Sequence, residues 1–175
     1  MITTAKTVLI SILASIALYL LLQLAFFFPF YMTVVVETFN LANVAANDNY
    51  VKQSYYEDSL ESLIDRPVFN KAWGWSSGDG WNTGNIRITV VNADGGRAVG
   101  YDNEFDYDWD GLSFGGETKP YRQRGETVTA RVYAVYPLEI TIWGKTVTYK
   151  VPVSFSITTV GLKYYKDLDY DYLYD

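Results

Sequence analysis

The chain has 175 residues, a net charge of -6 and 49% hydrophobic residues, and it contains neither histidine nor cysteine. These two absences exclude disulfides, thiolate nucleophiles, Cys/His metal sites and an imidazole base. The acidic balance argues against nucleic acid as a partner, because contacts to phosphates call for a basic surface.

The first predicted element is a run of 30 uncharged residues from Thr7 to Val36. As a helix it would be about 45 Å long, whereas about 20 residues suffice to cross the hydrocarbon core of a bilayer. The run is too long for the apolar region of a secretory signal and lacks a small-residue cleavage site at its end, so it predicts a retained membrane-spanning helix. Lys6 precedes the run and acids follow it, which predicts the N-terminus inside and everything after Glu37 outside.

Two residues stand out within the run. Pro29 is expected to kink or break the helix near Ala25 to Phe28. It is either an ordinary proline tolerated in a membrane helix or a place where the helix unwinds as subunits pack. Gln23 is the one strongly polar side chain in the middle of the run, and we expect it to find a partner on another helix.

An amphipathic helix is predicted after the span. The stretch from Glu37 to Ile64 has no glycine or proline, and its apolar residues recur at steps of three and four. A break near Ser54 or Ser59 remains open, and Arg66, which precedes a proline, should end the helix. The sequence thus assigns residues 1–66 to helix and residues 67–175 to a β-domain.

The second part of the chain has the two-residue period of β-strands. The clearest strand covers residues 147–158, with its apolar residues on one face and Pro152 marking a sheet edge or a bulge. The segment NADGG (residues 92–96) and the pair Gly144-Lys145 predict tight turns. Further strands are predicted at residues 86–91, 127–136 and 138–142. We expect an antiparallel sheet of four to six strands with one face packed on the helix, which is an α+β fold.

This plan resembles that of type IV pilin-like subunits, in particular the TadE-like branch of exported pilin-like proteins. The resemblance rests on LAFFFPF (residues 24–30), VETFNLANVAAND (residues 36–48) and ITTVGLKYYKD (residues 157–167). Bacterial pilins usually carry a glutamate near the start of the mature helix, and here none precedes Glu37. The resemblance implies a structural subunit that resides in the cytoplasmic membrane before assembly. The pilus assembly machinery would then build copies of it into a helical homopolymer, which forms a filament at the cell surface or outside the cell.

Under this hypothesis the assembly interface lies on the N-terminal helix. Lys6 and Glu37 lie about 46 Å apart along one helix, so they cannot meet within one copy. In a staggered filament, Lys6 of one copy could meet an acid such as Glu37 of another. The alternative is a single-pass anchor that holds a monomeric binding domain outside the cell. The predicted interface residues are Lys6, Leu21, Gln23, Pro29 and Glu37.

An acidic segment follows the first strands. Asp106, Asp108, Asp110 and Glu117, with Gly111, match the D-x-D-x-D-G-x5-E spacing of a calcium loop. The competing interpretation is a strand with a row of solvated acids. Calcium, as a structural ion, is the one cofactor that the sequence suggests.

The tail KDLDYDYLYD (residues 166–175) again alternates acids with Leu and Tyr, and it is either a last strand with one aromatic face or a disordered acidic tail. We expect the five tyrosines between Tyr164 and Tyr174 to pack rather than to face water. Because the chain has no glycine-rich phosphate loop and no nucleophile elbow, we expect no enzymatic activity.

Overall fold

In a computed structural model of the chain, residues 2–66, 86–102, 119–142, 144–166 and 168 are described. The fold is α+β, as predicted: a long N-terminal helix is followed by a small antiparallel sheet. The elements are α1 (Ile2–Asp48), β1 (Val51–Lys52), α2 (Gln53–Asp65), β2 (Ile86–Asn92), β3 (Val99–Gly100), β4 (Thr127–Ile142) and β5 (Lys145–Val160).

Helix α1 runs without a break through Pro29. Of the kink or break predicted at this proline, the break does not occur. Proline costs the helix one backbone hydrogen bond, and Phe27 and Phe30 on either side of it are both fixed against Tyr136 of the sheet. The Thr33 hydroxyl donates a hydrogen bond of 3.0 Å to the Pro29 carbonyl.

The helical region ends earlier than the sequence pattern indicates and then resumes. Asn49 adopts a left-handed conformation with φ 59°, which asparagine tolerates better than most residues. The break therefore falls between α1 and β1, not near Ser54 or Ser59. Helix α2 ends at Asp65, as predicted, and Arg66 is extended with ψ 132° before the following proline.

The main sheet has the strand order β2-β4-β5, and both pairs are antiparallel. Strands β4 and β5 form one long hairpin, and the predicted turn lies at Gly144, with φ 75°. The two strand segments predicted at residues 127–136 and 138–142 are a single strand. The described residues supply three strands to this sheet, against the four to six predicted.

The turn predicted in NADGG is present. Gly95 has φ 82°, and its amide donates to the Asn92 carbonyl at 2.9 Å. The returning chain forms an isolated antiparallel bridge with β2 between Val91 and Arg97, and β3 then pairs with β1 in parallel. This short ladder joins the end of α1 to the sheet.

Strand β5 lies at one edge of this sheet, as its proline predicts. Its alternation is confirmed between Val151 and Thr158, where the apolar residues are the more buried ones. The alternation in burial fails nearer the turn, since Val147 and Tyr149 are 51% and 55% exposed. This end of the β4–β5 hairpin extends past the core.

The hydrophobic core lies between the C-terminal half of α1 and one face of the sheet, which confirms the predicted packing. Phe30, Val34, Leu41 and Ala45 of α1 are fully buried. They belong to the same cluster as the inward residues of the strands. The structural unit therefore begins near residue 27, well before the boundary at residue 66 that the sequence suggested.

A second cluster joins the C-terminal segment to the end of α1. The rings of Tyr121 and Tyr165 stack at 4.1 Å, and Tyr50 packs against Tyr121. The Tyr165 hydroxyl donates to the Asp48 carbonyl at 2.6 Å. The predicted packing of tail tyrosines holds for Tyr165 but not for Tyr164, which is 53% exposed. The remaining tail tyrosines lie outside the described residues.

Candidate functional site

The N-terminal half of α1, residues 4–26, projects from the rest of the structure and forms the candidate functional site. Nearly all of its apolar side chains are exposed, and none is buried. This half is about 34 Å long, enough to cross a hydrocarbon core of about 30 Å. Among the described residues, one helix, within Thr4–Asp48, is long and apolar enough to span a membrane.

Three polar side chains on this half bond within the helix itself. The Ser11 and Ser15 hydroxyls donate to the carbonyls of Thr7 and Ser11, at 3.0 and 2.9 Å. Gln23 donates to the Tyr19 hydroxyl at 2.9 Å. Because each bond satisfies a polar group that lipid cannot, the helix can sit in hydrocarbon without a second chain. Gln23, which was expected to find a partner on another helix, thus has a hydrogen-bond partner within its own helix.

An aromatic junction marks the point where α1 meets the sheet. It consists of Phe27, Phe30 and Tyr31 of α1 with Tyr136 of β4 and Phe155 of β5. Tyr136 contacts Phe27 edge-on at 5.2 Å and Phe30 at 5.1 Å, and Tyr31 lies 6.5 Å from Phe155. Burial raises the pKa of Tyr136. The junction fixes the exposed half of α1 relative to the sheet.

Glu37 is buried, with 4% of its surface exposed, and faces its own chain. Its carboxylate lies 3.9 Å from the Arg66 guanidinium at the end of α2. It helps to raise the pKa of Tyr55, although burial is the larger cause. Glu37 is thus engaged within its own chain, and its contact with Lys6 of another copy stays a prediction.

The other predicted interface residues lie on or beside the exposed half. Lys6 is exposed at its start, Leu21 is 62% exposed, Gln23 is half-buried and Pro29 is exposed just beyond it. The sequence interpretation missed the aromatic junction and Arg66. The aromatic cluster FFFPFY at residues 26–31 was the available signal, since such clusters are typical of the end of a membrane span.

The predicted calcium ligands, Asp106, Asp108, Asp110 and Glu117, lie outside the described residues. Within the described ranges, no group of three acidic residues is placed to hold a metal ion. Calcium binding therefore stays a prediction.

A groove of about 830 Å³ lies between α2 and β2. Its polar lining is already paired: Gln53 donates to Glu57 at 2.6 Å and accepts from Arg97 at 3.3 Å. The Arg97 guanidinium also lies 5.9 Å from the ring centre of Tyr56. Among the described lining residues, the polar side chains of Gln53, Glu57 and Arg97 are therefore engaged with one another.

Comparison with protein-family models, curated protein sequences and solved structures gives no match. The function is therefore inferred from the geometry of this chain alone.

Proposed function

We propose that this chain is a membrane-anchored, pilin-like structural subunit that polymerises into an extracellular filament through the exposed half of α1. Residues 4–26 would span the cytoplasmic membrane before assembly, with the N-terminus inside. They would form the filament core afterwards, with the sheet on the outer surface. The observation that carries the proposal is one continuous helix, exposed and apolar over one half and locked into a folded domain over the other.

Rigidity at the aromatic junction supports a polymer. No linker separates the two halves of α1, and Phe27, Phe30 and Tyr31 hold the helix against the sheet. The exposed half therefore leaves the domain at a fixed angle. A repeating head-to-tail contact needs such a fixed angle to generate a regular helix of subunits.

The size of the exposed surface also supports the proposal. Apolar side chains cover all sides of the helix between Val8 and Phe28. Lipid can cover them, and so can a bundle of identical helices. The small residues Ala14, Ser15, Ala17 and Ala25 would let such helices approach closely.

The second candidate is a single-pass anchor for a monomeric domain. The hydrogen bond from Gln23 to Tyr19 favours it, because a helix that satisfies its own polar groups needs no neighbour. Both candidates share the membrane span and differ only in whether copies of α1 meet.

Thiol cross-linking tests the proposal directly, because the chain has no cysteine of its own. Ile12 and Leu21 are 53% and 62% exposed, and nine helical positions place them on opposite faces. Cells producing the double variant Ile12→Cys/Leu21→Cys are treated briefly with a bifunctional maleimide. A polymer should yield a ladder of many sizes, since each copy then bonds to two neighbours.

Each single-cysteine variant is the matched control, because it can form nothing larger than a dimer. A double variant that is present in the membrane but yields only monomers and dimers would favour the monomeric anchor.

A further inference from the structure

The end of the β4–β5 hairpin carries a second exposed apolar surface. We call the segments 138–142 and 144–150 the hairpin tip. Leu138 lies opposite Tyr149 and Ile140 opposite Val147, so all four share one face. The same face carries Tyr136, which packs on α1. Thr146 and Thr148, on the other face, are exposed.

The hairpin tip points toward the same end of the molecule as the exposed half of α1. Tyr136, opposite Val151, lies against Phe27 and Phe30. At the other end, the amide of Leu162 donates to the Ala46 carbonyl at 2.8 Å. Strand β5 therefore runs in the same direction as α1, and its start lies on the N-terminal side of Phe27.

The depth of the hairpin tip follows from these contacts. From Val151 to Leu162 the chain advances about 36 Å, while α1 advances about 24 Å from Phe30 to Ala46. Each strand residue thus corresponds to roughly 2.2 Å along the helix axis. The six residues from Val151 back to Lys145 bring the tip roughly 13 Å below Phe30, near the level of Leu21.

This level lies inside the predicted span. If the inner end of the hydrocarbon core is near Lys6, about 20 residues bring its outer end to about residue 26. The tip would then reach some 7 Å below the outer boundary of the hydrocarbon. A bilayer placed around α1 therefore meets the hairpin as well.

We infer that the hairpin tip inserts into the headgroup and acyl-chain boundary of the outer leaflet, as a second membrane contact beside α1. This inference rests on the membrane-spanning part of the proposed function. The occupant of the apolar face is lipid, because the face continues the direction of the spanning helix. Amphipathic elements settle at this depth with the apolar face buried by about 5–10 Å.

The chemistry of the tip fits this boundary. Tyr149 and Val147 supply the apolar contact, while the ladder between β4 and β5 satisfies the backbone groups that face each other. The outward backbone groups of β5, an edge strand among the described residues, need partners in the hydrated headgroup side of this boundary, because lipid tails supply none. Lys145, exposed at the turn, can extend its ammonium group to lipid phosphates.

The test uses the full chain in phosphatidylcholine vesicles, at high dilution in lipid, with single cysteines carrying an environment-sensitive fluorophore. Labels are placed at Val147→Cys, at Leu21→Cys within the span and at Leu162→Cys on the far side of the domain. Leu162 is 59% exposed and is the matched water-facing control. Quenching by nitroxides attached to lipid acyl chains, and by iodide in the water, is measured for each label.

We expect the label at Val147 to be quenched by shallow acyl-chain nitroxides and protected from iodide, and the label at Leu162 to behave in the opposite way. Adding phosphatidylglycerol should strengthen the lipid quenching at Val147, and Lys145→Gln should remove this increase.

If Leu21 is quenched by lipid but Val147 is open to iodide, the inference is overturned while the span stands. If Leu21 itself escapes lipid quenching, the spanning helix fails, and the proposed function fails with it. A label at Val147 that is shielded from both quenchers would mean that protein covers the tip, which also overturns the inference.

Discussion

Asn49 ties together three distant parts of the chain. Its amide donates to the carbonyls of Arg122 and Lys163, at 2.8 and 2.7 Å, and its side-chain oxygen accepts from the Lys163 amide at 3.0 Å. The residue is buried and left-handed, with φ 59°. Gly161 leaves the room it needs, because a Cβ there would stand 2.5 Å from the Asn49 amide group.

Replacing Asn49 by alanine should lower the free energy of unfolding by about 3 kcal/mol, because buried backbone groups lose their partners and alanine disfavours a left-handed conformation. Asn49→Gly should lower the free energy of unfolding by less than Asn49→Ala, because glycine tolerates the left-handed conformation although the hydrogen bonds are still lost. The control Asn43→Ala removes an exposed asparagine from α1 and should change little. Thermal unfolding of the full chain in detergent measures all three. Equal melting temperatures for Asn49→Ala and Asn43→Ala would contradict this role.

Asp102 caps α2 from outside its own segment. Its carboxylate accepts a hydrogen bond of 2.9 Å from the Ser54 amide in the first turn of α2. The residue at the N-cap position, Lys52, makes no side-chain hydrogen bond to this turn. This bond is the main cause that lowers the pKa of Asp102, and the charge of Lys52 adds to it. The stabilising effect is therefore complete above the ordinary aspartate pKa and is lost as the pH falls through the lower folded-state pKa.

We expect Asp102→Ala to cost about 0.5–1 kcal/mol at neutral pH, the low end for a helix cap, because the carboxylate is exposed. Asp58→Ala removes an exposed acid from the same helix and serves as the control. Melting temperatures are compared at neutral pH and in acid. The difference in melting temperature between Asp102→Ala and the native chain should become smaller as the pH falls below about 4. A gap that does not depend on pH would exclude the charged cap.

At the scale of elements, α1 divides into a surface half and a core half. A fragment of residues 27–175 keeps Phe30, Val34, Leu41 and Ala45 in the core. A fragment of residues 67–175 loses all of them, along with Leu60 and Leu63 of α2. Burying one large apolar side chain stabilises a fold by about 1.5–3 kcal/mol, so the summed losses are comparable to the whole stability of a typical domain.

The fragment that starts at residue 27 should be soluble and unfold cooperatively, whereas the fragment that starts at residue 67 should not. Circular dichroism during heating distinguishes them. The fragment from residue 27 is the control for the loss of the exposed half of α1, because both fragments lack that half. A cooperative transition in the shorter fragment would restore the boundary at residue 66.

The sequence predicted elements better than the contacts between them. Charge-free length predicts the span, and a period of two predicts β5 with its edge proline, because these are properties of a single segment. The break at Asn49 depends on carbonyls more than 70 residues away in the chain. The partner of Glu37 lies at the end of a different helix, and the aromatic residues beside Pro29 pack on the sheet. None of these contacts has a local signature.

For the whole molecule, calcium remains the one predicted ligand. If Asp106, Asp108, Asp110 and Glu117 share an ion, millimolar Ca²⁺ should raise stability by about 1 kcal/mol at the affinities common for extracellular modules. The melting temperature should fall in chelator, and Asp108→Asn/Glu117→Gln should erase the difference. The control Asp58→Asn/Glu61→Gln removes two exposed acids from α2 and should preserve the difference. A response that Na⁺ of equal ionic strength reproduces would instead indicate solvated acids.

The central claim is that the exposed half of α1 assembles copies of the chain, and electron microscopy of material sheared from cells tests it most directly. Cells with the native chain should release filaments that contain it. Leu21→Arg places a charge in the middle of the exposed half, at a cost of about 2.5–3.5 kcal/mol in a bilayer, and should abolish them. Leu162→Arg makes the same change at a similarly exposed leucine outside that half and should leave the filaments intact. A sheared fraction without filaments from cells with the native chain in the membrane would contradict the claim, and so would filaments that survive Leu21→Arg.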